Sequence, residues 1–253
     1  MPPHPDLPTI IAHRGNASEF PENTLPALES AVELGVRHVE FDVQLTSDGV
    51  PVLLHDADLE RVADRPGCVH DLTWAQLAAI PVGETKRFGH RHAATFAPSL
   101  AQAVDALAGW DGVTAFVEVK RASLRRFGHE TVLQRMARIL EPALSQCVLI
   151  SFDLPSLRRL RTLTGARIGW VITDYDEATR AEAAALAPEF LFGDVERLPT
   201  GPQPLWQGPW EWAIYEVRDL ATALACRSRG ARFVETMTVR SLLAAFEESR
   251  RQW

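Results

Sequence analysis

Two histidines, three carboxylates and two fixed cations recur in this chain at or just past short apolar runs. Ile10-Ile11-Ala12 leads into His13-Arg14-Gly15, Glu40 and Asp42 alternate with Phe41 and Val43, Val52-Leu53-Leu54 leads into His55-Asp56, and Glu118-Val119-Lys120 closes a fourth run. Successive residues of a strand face opposite ways, so Glu40 and Asp42 share one face of theirs, and Glu118 and Lys120 one face of theirs. Three carboxylates converging in an apolar setting repel one another and are costly to desolvate unless a cation compensates. Glu40, Asp42 and Glu118 therefore suit one hard divalent cation with oxygen ligands, Mg²⁺ or Ca²⁺ first and Mn²⁺ after them. Of the imidazoles His13 and His55, one can accept a proton while the other donates one. Near neutral pH such a pair suits a reaction in which an attacking oxygen loses a proton and a leaving oxygen gains one. Arg14 and Lys120 stay charged in that range and suit an anionic group such as phosphate.

Plainer readings exist for each group. The carboxylates could be half-exposed strand positions, Glu118 and Lys120 an isolated ion pair, and either histidine a structural hydrogen-bonder. His4, His38, His70, His90, His92 and His129 are placed in that structural class, His90 and His92 less firmly because a loop could bring them towards a substrate.

Strands must carry these groups, and the chain supplies them. Apolar runs rich in Val, Ile and Phe fall at 9–12, 38–45, 113–119, 147–151, 167–172, 190–193, 211–215 and 231–235. Helix-like stretches separate most of them, at 24–34 (Thr24 as N-cap, Pro26 early), 99–108, 129–140, 155–163, 176–186, 218–228 and 238–250. This alternation predicts a parallel sheet. The run at 51–54 follows its predecessor across Asp48-Gly49, a hairpin signal, and so is expected to be antiparallel; a parallel return needs a crossover of about a dozen residues or more. Eight strands remain, which predicts an α/β fold of the TIM (β/α)8 barrel type, with the doubly wound open sheet as rival. Residues 56–98 lack barrel periodicity apart from a short helix near 73–79 and carry the basic cluster Lys86-Arg87-Phe88-Gly89-His90-Arg91-His92; they are expected to form a small insertion over the barrel mouth.

The whole chain, 253 residues and 46% hydrophobic, fits one domain, 1–253. A net charge of −7 argues against nucleic acid as a partner, which would need a basic face. Cys68, Cys147 and Cys226 have no metal or disulfide spacing. The amino terminus lacks a signal pattern and no run of about 18 apolar residues occurs, so a cytoplasmic protein without stable membrane association is expected.

Taken together, His13-Arg14-Gly15, Glu22-Asn23-Thr24, Glu40-x-Asp42-Val43, Thr46-x-Asp48-Gly49, His55-Asp56 and Glu118-x-Lys120 resemble the glycerophosphodiester phosphodiesterase family. The similarity is dense over residues 10–61 and continues in order through Ser151-Phe152-Asp153. It implies a TIM barrel with an insertion after the second strand, His13 and His55 as general acid and base, Glu40, Asp42 and Glu118 as metal ligands, and Arg14 and Lys120 as phosphate ligands. It also implies cleavage of small glycerophosphodiesters to glycerol 3-phosphate and an alcohol. Phe152 and Trp212 fit apolar contacts to the substrate, with core packing as the plainer reading. The family's usual seventh-strand and eighth-strand endings, Trp-Thr-Val-Asn-like and Thr-Asp, are here Trp212-Ala213-Ile214-Tyr215-Glu216 and Val234-Glu235-Thr236, which leaves the alcohol side open. Alternatives on the same barrel are a lysophospholipase D- or phospholipase C-like enzyme and a phosphate-binding barrel without catalysis.

Overall fold

The computed structural model describes residues 7–251. Its strands are β1 (Thr9–Ala12), β2 (His38–Leu45), β3 (Pro51–Leu53), β4 (Thr114–Val119), β5 (Cys147–Ser151), β6 (Arg167–Val171), β7 (Phe190–Asp194), β8 (Glu211–Tyr215) and β9 (Ala231–Thr236). They form one sheet in the order β1, β9, β8, β7, β6, β5, β4, β2, β3, and β1 pairs back to β2, so eight parallel strands close into a barrel. The open-sheet rival is thereby excluded. The ninth strand, β3, is antiparallel to β2, with Val43 opposite Leu53 and Leu45 opposite Pro51. The turn between them closes through the Gly49 N–H donating to the Thr46 carbonyl at 2.9 Å. This is the hairpin that Asp48-Gly49 signals.

Helices lie between most of the barrel strands, β7 and β8 being joined by a loop, and polar caps start five of them. Thr24 accepts from the Ala27 N–H at the head of Leu25–Glu33, Ser99 and Gln102 form a capping box on Leu100–Leu107, and Asp153, Asp176 and Asp219 cap Leu154–Thr164, Glu177–Leu186 and Leu220–Ser228. Each cap satisfies an otherwise orphaned N–H and contributes about 1 kcal/mol. The short helix Arg121–Phe127, directly after Lys120, has no counterpart in the sequence reading.

Period-two alternation sorts the strand side chains into two layers. Val39, Phe41, Val43, Leu149, Ile168, Leu191 and Val234 point outward under the helices. Ile11, Phe116, Val148, Ile150, Phe190, Phe192 and Phe233 fill the barrel interior. Phe116 meets Phe190 and Phe192 edge-on, with ring centroids 5.0 and 5.4 Å apart. A Cβ on Gly169 would stand 2.9 Å from Ile150 Cγ2 and 3.0 Å from Phe192 Cε2, so β6 makes room for the rings its neighbours insert. Full burial of one such phenylalanine contributes roughly 2–3 kcal/mol. This plug lies two residues before Glu118 on β4 and two before Glu235 on β9, so polar groups inside the barrel gather at the carboxyl ends of the strands.

The segment 56–98 departs from expectation. Val62, Val69, Leu77, Ile80 and Val82 build a small core of their own against Val52 of β3. From there the segment reaches the loop after β1: Glu84 Oε1 accepts the Glu22 N–H at 2.7 Å, Arg87 Nη2 donates to the Ala17 carbonyl at 2.6 Å, and His92 Nε2 lies 3.0 Å from the Glu19 carbonyl. It buttresses that loop, its apolar residues packing on β3. Among the described residues no helix is long and apolar enough to cross a membrane.

Candidate active site at the carboxyl ends of the strands

The strand ends converge on a cleft lined by His13, Arg14, Glu40, His55, Glu118, Lys120, Glu216 and Glu235 on one side and by Ile150, Phe152, Val171, Phe192 and Tyr215 on the other, enclosing about 430 Å³ of space open to solvent. A charged wall thus faces an apolar one.

Asp42 anchors the charged wall. Its backbone N–H donates to Asn23 Oδ1 at 2.9 Å, its Oδ2 accepts from Asn23 Nδ2 at 2.8 Å, and its Oδ1 accepts from Lys120 Nζ at 3.0 Å. Arg14 Nε lies 3.2 Å from Asp42 Oδ2 with its N–H off the line, an ion pair without a hydrogen bond. Burial alone would raise the Asp42 pKa, but Lys120 and Arg14 outweigh it and hold the carboxyl well below the usual range. Lys120 Nζ also sits 2.9 Å from Glu118 Oε1, and Glu40 Oε2 accepts the Arg14 N–H at 3.0 Å.

That last bond depends on an unusual loop. Arg14 and Asn23 hold φ values of 55° and 57°, and Gly15 one of 81°. A Cβ on Gly15 would lie 2.5 Å from the Ala27 carbonyl carbon, inside van der Waals contact with helix backbone. Gly15→Ala is accordingly expected to lose about 2 kcal/mol or more through the left-handed backbone and the overlap together. Urea unfolding measures this, and a midpoint within error of the parent would contradict the packing described.

Negative charge is in excess on this wall. Glu40, Asp42 and Glu118 each bring a carboxylate oxygen within 4.8 Å of the others, and His13, Glu40 and Glu235 form a second such group. Burial first, then Asp42, Glu235 and Glu118, push Glu40 well above its ordinary value. Burial, against the pull of Lys120, raises Glu118 to about 7, and Glu235 is raised by burial and by Glu118 and Asp42. Glu40 Oε1 is buried without a hydrogen-bond partner. An all-oxygen set with one orphaned oxygen and self-repelling charge fits a hard divalent cation. Glu40, Asp42 and Glu118 are the residues that could hold it.

The two imidazoles lie on the same cleft by different routes. His13 continues β1; its Nε2 is 3.3 Å from Glu235 Oε1 and 4.0 Å from Glu40 Oε2, and its Nδ1 3.7 Å from Glu216 Oε1. Burial, followed by the Arg14 charge, lowers its pKa well below the ordinary value. His55 arrives from β3, folded back by the hairpin. Its carbonyl accepts from Gln44 Nε2 at 2.9 Å, its Nδ1 lies 2.7 Å from Asp56 Oδ1, and burial lowers its pKa despite the opposing charge of Asp42. Gln44 is in turn held by Ser123 Oγ at 2.7 Å and faces His70 Nε2 at 3.2 Å, so His70 is a buried structural group.

Of the two aromatic candidates, Phe152 lines the cleft and Trp212 does not. Trp212 packs in the outer layer with Trp206 and Tyr175, and its indole N–H donates to the Trp206 carbonyl at 2.9 Å. The expected contact of Trp212 with substrate is therefore corrected. On β8 the inward positions are Ala213 and Tyr215, and a neighbour along the strand faces outward. Tyr215, Glu216 and Glu235 are cleft residues that the sequence reading did not select. For Glu235 a signal existed, since Phe233 and Glu235 share the parity of an inward face.

Comparison with known proteins agrees in one direction. The model of the glycerophosphoryl diester phosphodiesterase family matches residues 13–200. The glycerophosphodiester phosphodiesterase of Caldanaerobacter subterraneus subsp. tengcongensis is 30% identical over 218 residues, 83% of this chain and 87% of that protein. Glycerophosphodiester phosphodiesterase 1 of Rattus norvegicus is 39% identical over 99 residues, 39% of this chain and 30% of that protein. Among solved structures, an Oleispira antarctica phosphodiesterase in complex with the product sn-glycerol-3-phosphate superposes with a TM-score of 0.83 at 23% identity, covering 95% of this chain and 97% of that one.

Proposed function

Since the chain belongs to the glycerophosphoryl diester phosphodiesterase family, we propose that it hydrolyses small glycerophosphodiesters to glycerol 3-phosphate and an alcohol, using His13 and His55 for proton transfer and one divalent cation on Glu40, Asp42 and Glu118. The observation that carries this reading is the convergence, at one end of one barrel, of those three buried carboxylates, two imidazoles and the cations Arg14 and Lys120. Segment 56–98 belongs to the same single domain.

In this reading Arg14 and Lys120 take the phosphodiester's anionic oxygens by charge-assisted hydrogen bonds. The attacking oxygen, from water or a glycerol hydroxyl, gives its proton to a nitrogen of one imidazole as its bond to phosphorus forms. The other imidazole, entering the step as imidazolium, donates its proton to the alcohol oxygen as the second bond to phosphorus breaks and is left neutral. With Nδ1 engaged by Asp56, His55 has Nε2 left for this exchange. A bound Mg²⁺, Ca²⁺ or Mn²⁺ would supply Lewis acidity towards a phosphoryl oxygen and the substrate hydroxyl. Ile150, Phe152, Val171 and Phe192 would exclude water from the opposite side and receive the glycerol carbons.

The test is release of glycerol 3-phosphate from glycerophosphocholine, glycerophosphoethanolamine and related head groups, with a lysophospholipid assayed in parallel. Product from the water-soluble diesters is expected. Turnover of the lysophospholipid alone would move the assignment to a lipase on the same barrel, and no turnover of any substrate would overturn it.

A further inference from the structure

We propose that Arg61, on the short helix Glu60–Ala63 of the inserted segment, is a positioning residue that fixes His55 through Asp56. This rests on the role of His55 in the reading above. Asp56 divides its oxygens: Oδ1 lies 2.7 Å from His55 Nδ1, and Oδ2 accepts from Arg61 Nε at 2.7 Å. The remaining nitrogens of the same guanidinium grip Glu22, Nη1 to Oε2 at 2.6 Å and Nη2 to Oε1 at 2.8 Å. Glu22 is immobilised, with its side chain 3% exposed, its Oε1 accepting from Arg14 Nη1 at 3.0 Å and its backbone N–H held by Glu84.

An ion pair on the surface ordinarily contributes little, and the Arg61 side chain is 41% exposed. Here the fork spans two carboxylates, one of them buried, so its plane is fixed from the Glu22 side and the Asp56 carboxylate has one orientation to adopt. That orientation keeps the Nδ1 tie and leaves Nε2 of His55 towards the cleft. The contacts extend from His55 into one chain of alternating charge, Asp56–Arg61–Glu22–Arg14–Asp42–Lys120–Glu118, which ties the hairpin to β1, β2 and β4. A planar guanidinium can bridge in this way, and a lysine ammonium cannot hold both partners in the same geometry.

Arg61→Ala, Arg61→Lys, Asp56→Asn and the double variant Arg61→Ala/Asp56→Asn, each confirmed folded by thermal melting, decide the matter in the metal-supplemented protein. Arg61→Ala is expected to lower kcat about 10–100-fold, the range seen when a partner that orients a functional side chain is removed, with KM little changed. Arg61→Lys should restore little of the loss. In the Asp56→Asn background the same Arg61 change should cost no more than about twofold, because the path through Asp56 is already cut. The ¹⁵N resonances of the His55 imidazole, read without substrate, should show the Nδ1-protonated tautomer in the parent and a mixture in Arg61→Ala. An unchanged kcat per folded molecule with an unchanged tautomer, or losses that multiply in the double variant, would overturn the inference. If the parent itself releases no glycerol 3-phosphate, the proposed function fails instead, and the imidazole signal alone decides whether Arg61 orients His55.

Discussion

Alanine at His13 or at His55 is expected to lower kcat by about 10²–10⁴-fold, the range for loss of a positioned proton-transfer group, while the fold persists. The double variant should lose far less than the product of the two, because in the proposed scheme the pair acts as a unit and either deletion already stops concerted proton movement. The pH dependence carries a sign as well. Burial lowers both imidazoles below their ordinary value, and the imidazole that must accept a proton is disabled as acid charges it. The acidic limb of kcat/KM should therefore lie below pH 6.5, the unperturbed histidine value, and not above it. Steady-state kinetics on glycerophosphocholine from pH 4.5 to 8 measure both effects. Turnover undiminished in His13→Ala and His55→Ala would sink the proton-transfer scheme.

Exhaustive chelation should remove activity by a factor of about 10³ or more, since a metal acting as Lewis acid contributes several kcal/mol to the transition state; adding back Mg²⁺, Ca²⁺ or Mn²⁺ should restore it. A stability effect accompanies it. Glu118 is raised from an ordinary 4.5 to about 7. A carboxyl with a raised folded-state pKa contributes stability that is fully present below its unfolded value and lost as pH climbs through its folded one. The metal-free protein should thus become less stable between about pH 4.5 and 7, Glu40 and Glu235 acting in the same direction. A cation that replaces those protons stabilises by about 2.7 kcal/mol at one hundred times its Kd, and the rise in Tm on adding metal should be larger at pH 8 than at pH 5. Differential scanning calorimetry at the two pH values reads it. Activity that survives chelation, or a Tm rise identical at both, would remove the cation from Glu40, Asp42 and Glu118.

Much of the fold was legible because its determinants are local. The runs at 9–12 and 38–45 coincide with β1 and β2, Asp48-Gly49 marks the hairpin, and Thr24 caps the helix that begins at Leu25. Eight parallel strands then leave few arrangements, the closed barrel and the doubly wound open sheet first among them, and the β1–β2 pairing decides between these two. Where local signals were weak, the reading stopped short. Arg121–Phe127 begins directly after a strand with no side-chain cap, and 56–98 contains only four-residue helices and one 3-10 turn, held by their own small core.

The site divides along the same line. Alternation along β2 is enough to put Glu40 and Asp42 on one face, and apolar runs ending in His13 and His55 are enough to put imidazoles at strand ends. The same rule applied to β8 turns Trp212 outward and Tyr215 inward, so its parity, which depends on how the barrel closes, was needed to choose between them. Glu22 and Arg61 are 39 residues apart, and Glu235 is 222 residues from His13, yet each pair meets at hydrogen-bonding or ion-pairing distance. By itself the sequence determined which residues have the chemistry and on which face of its own strand each one lies, because period and turn type are properties of a few neighbouring residues. Tertiary structure alone decided which of them touch. Strand stagger, barrel closure and the docking of the inserted segment bring distant carboxylates and cations into contact, and the resulting burial sets their charge.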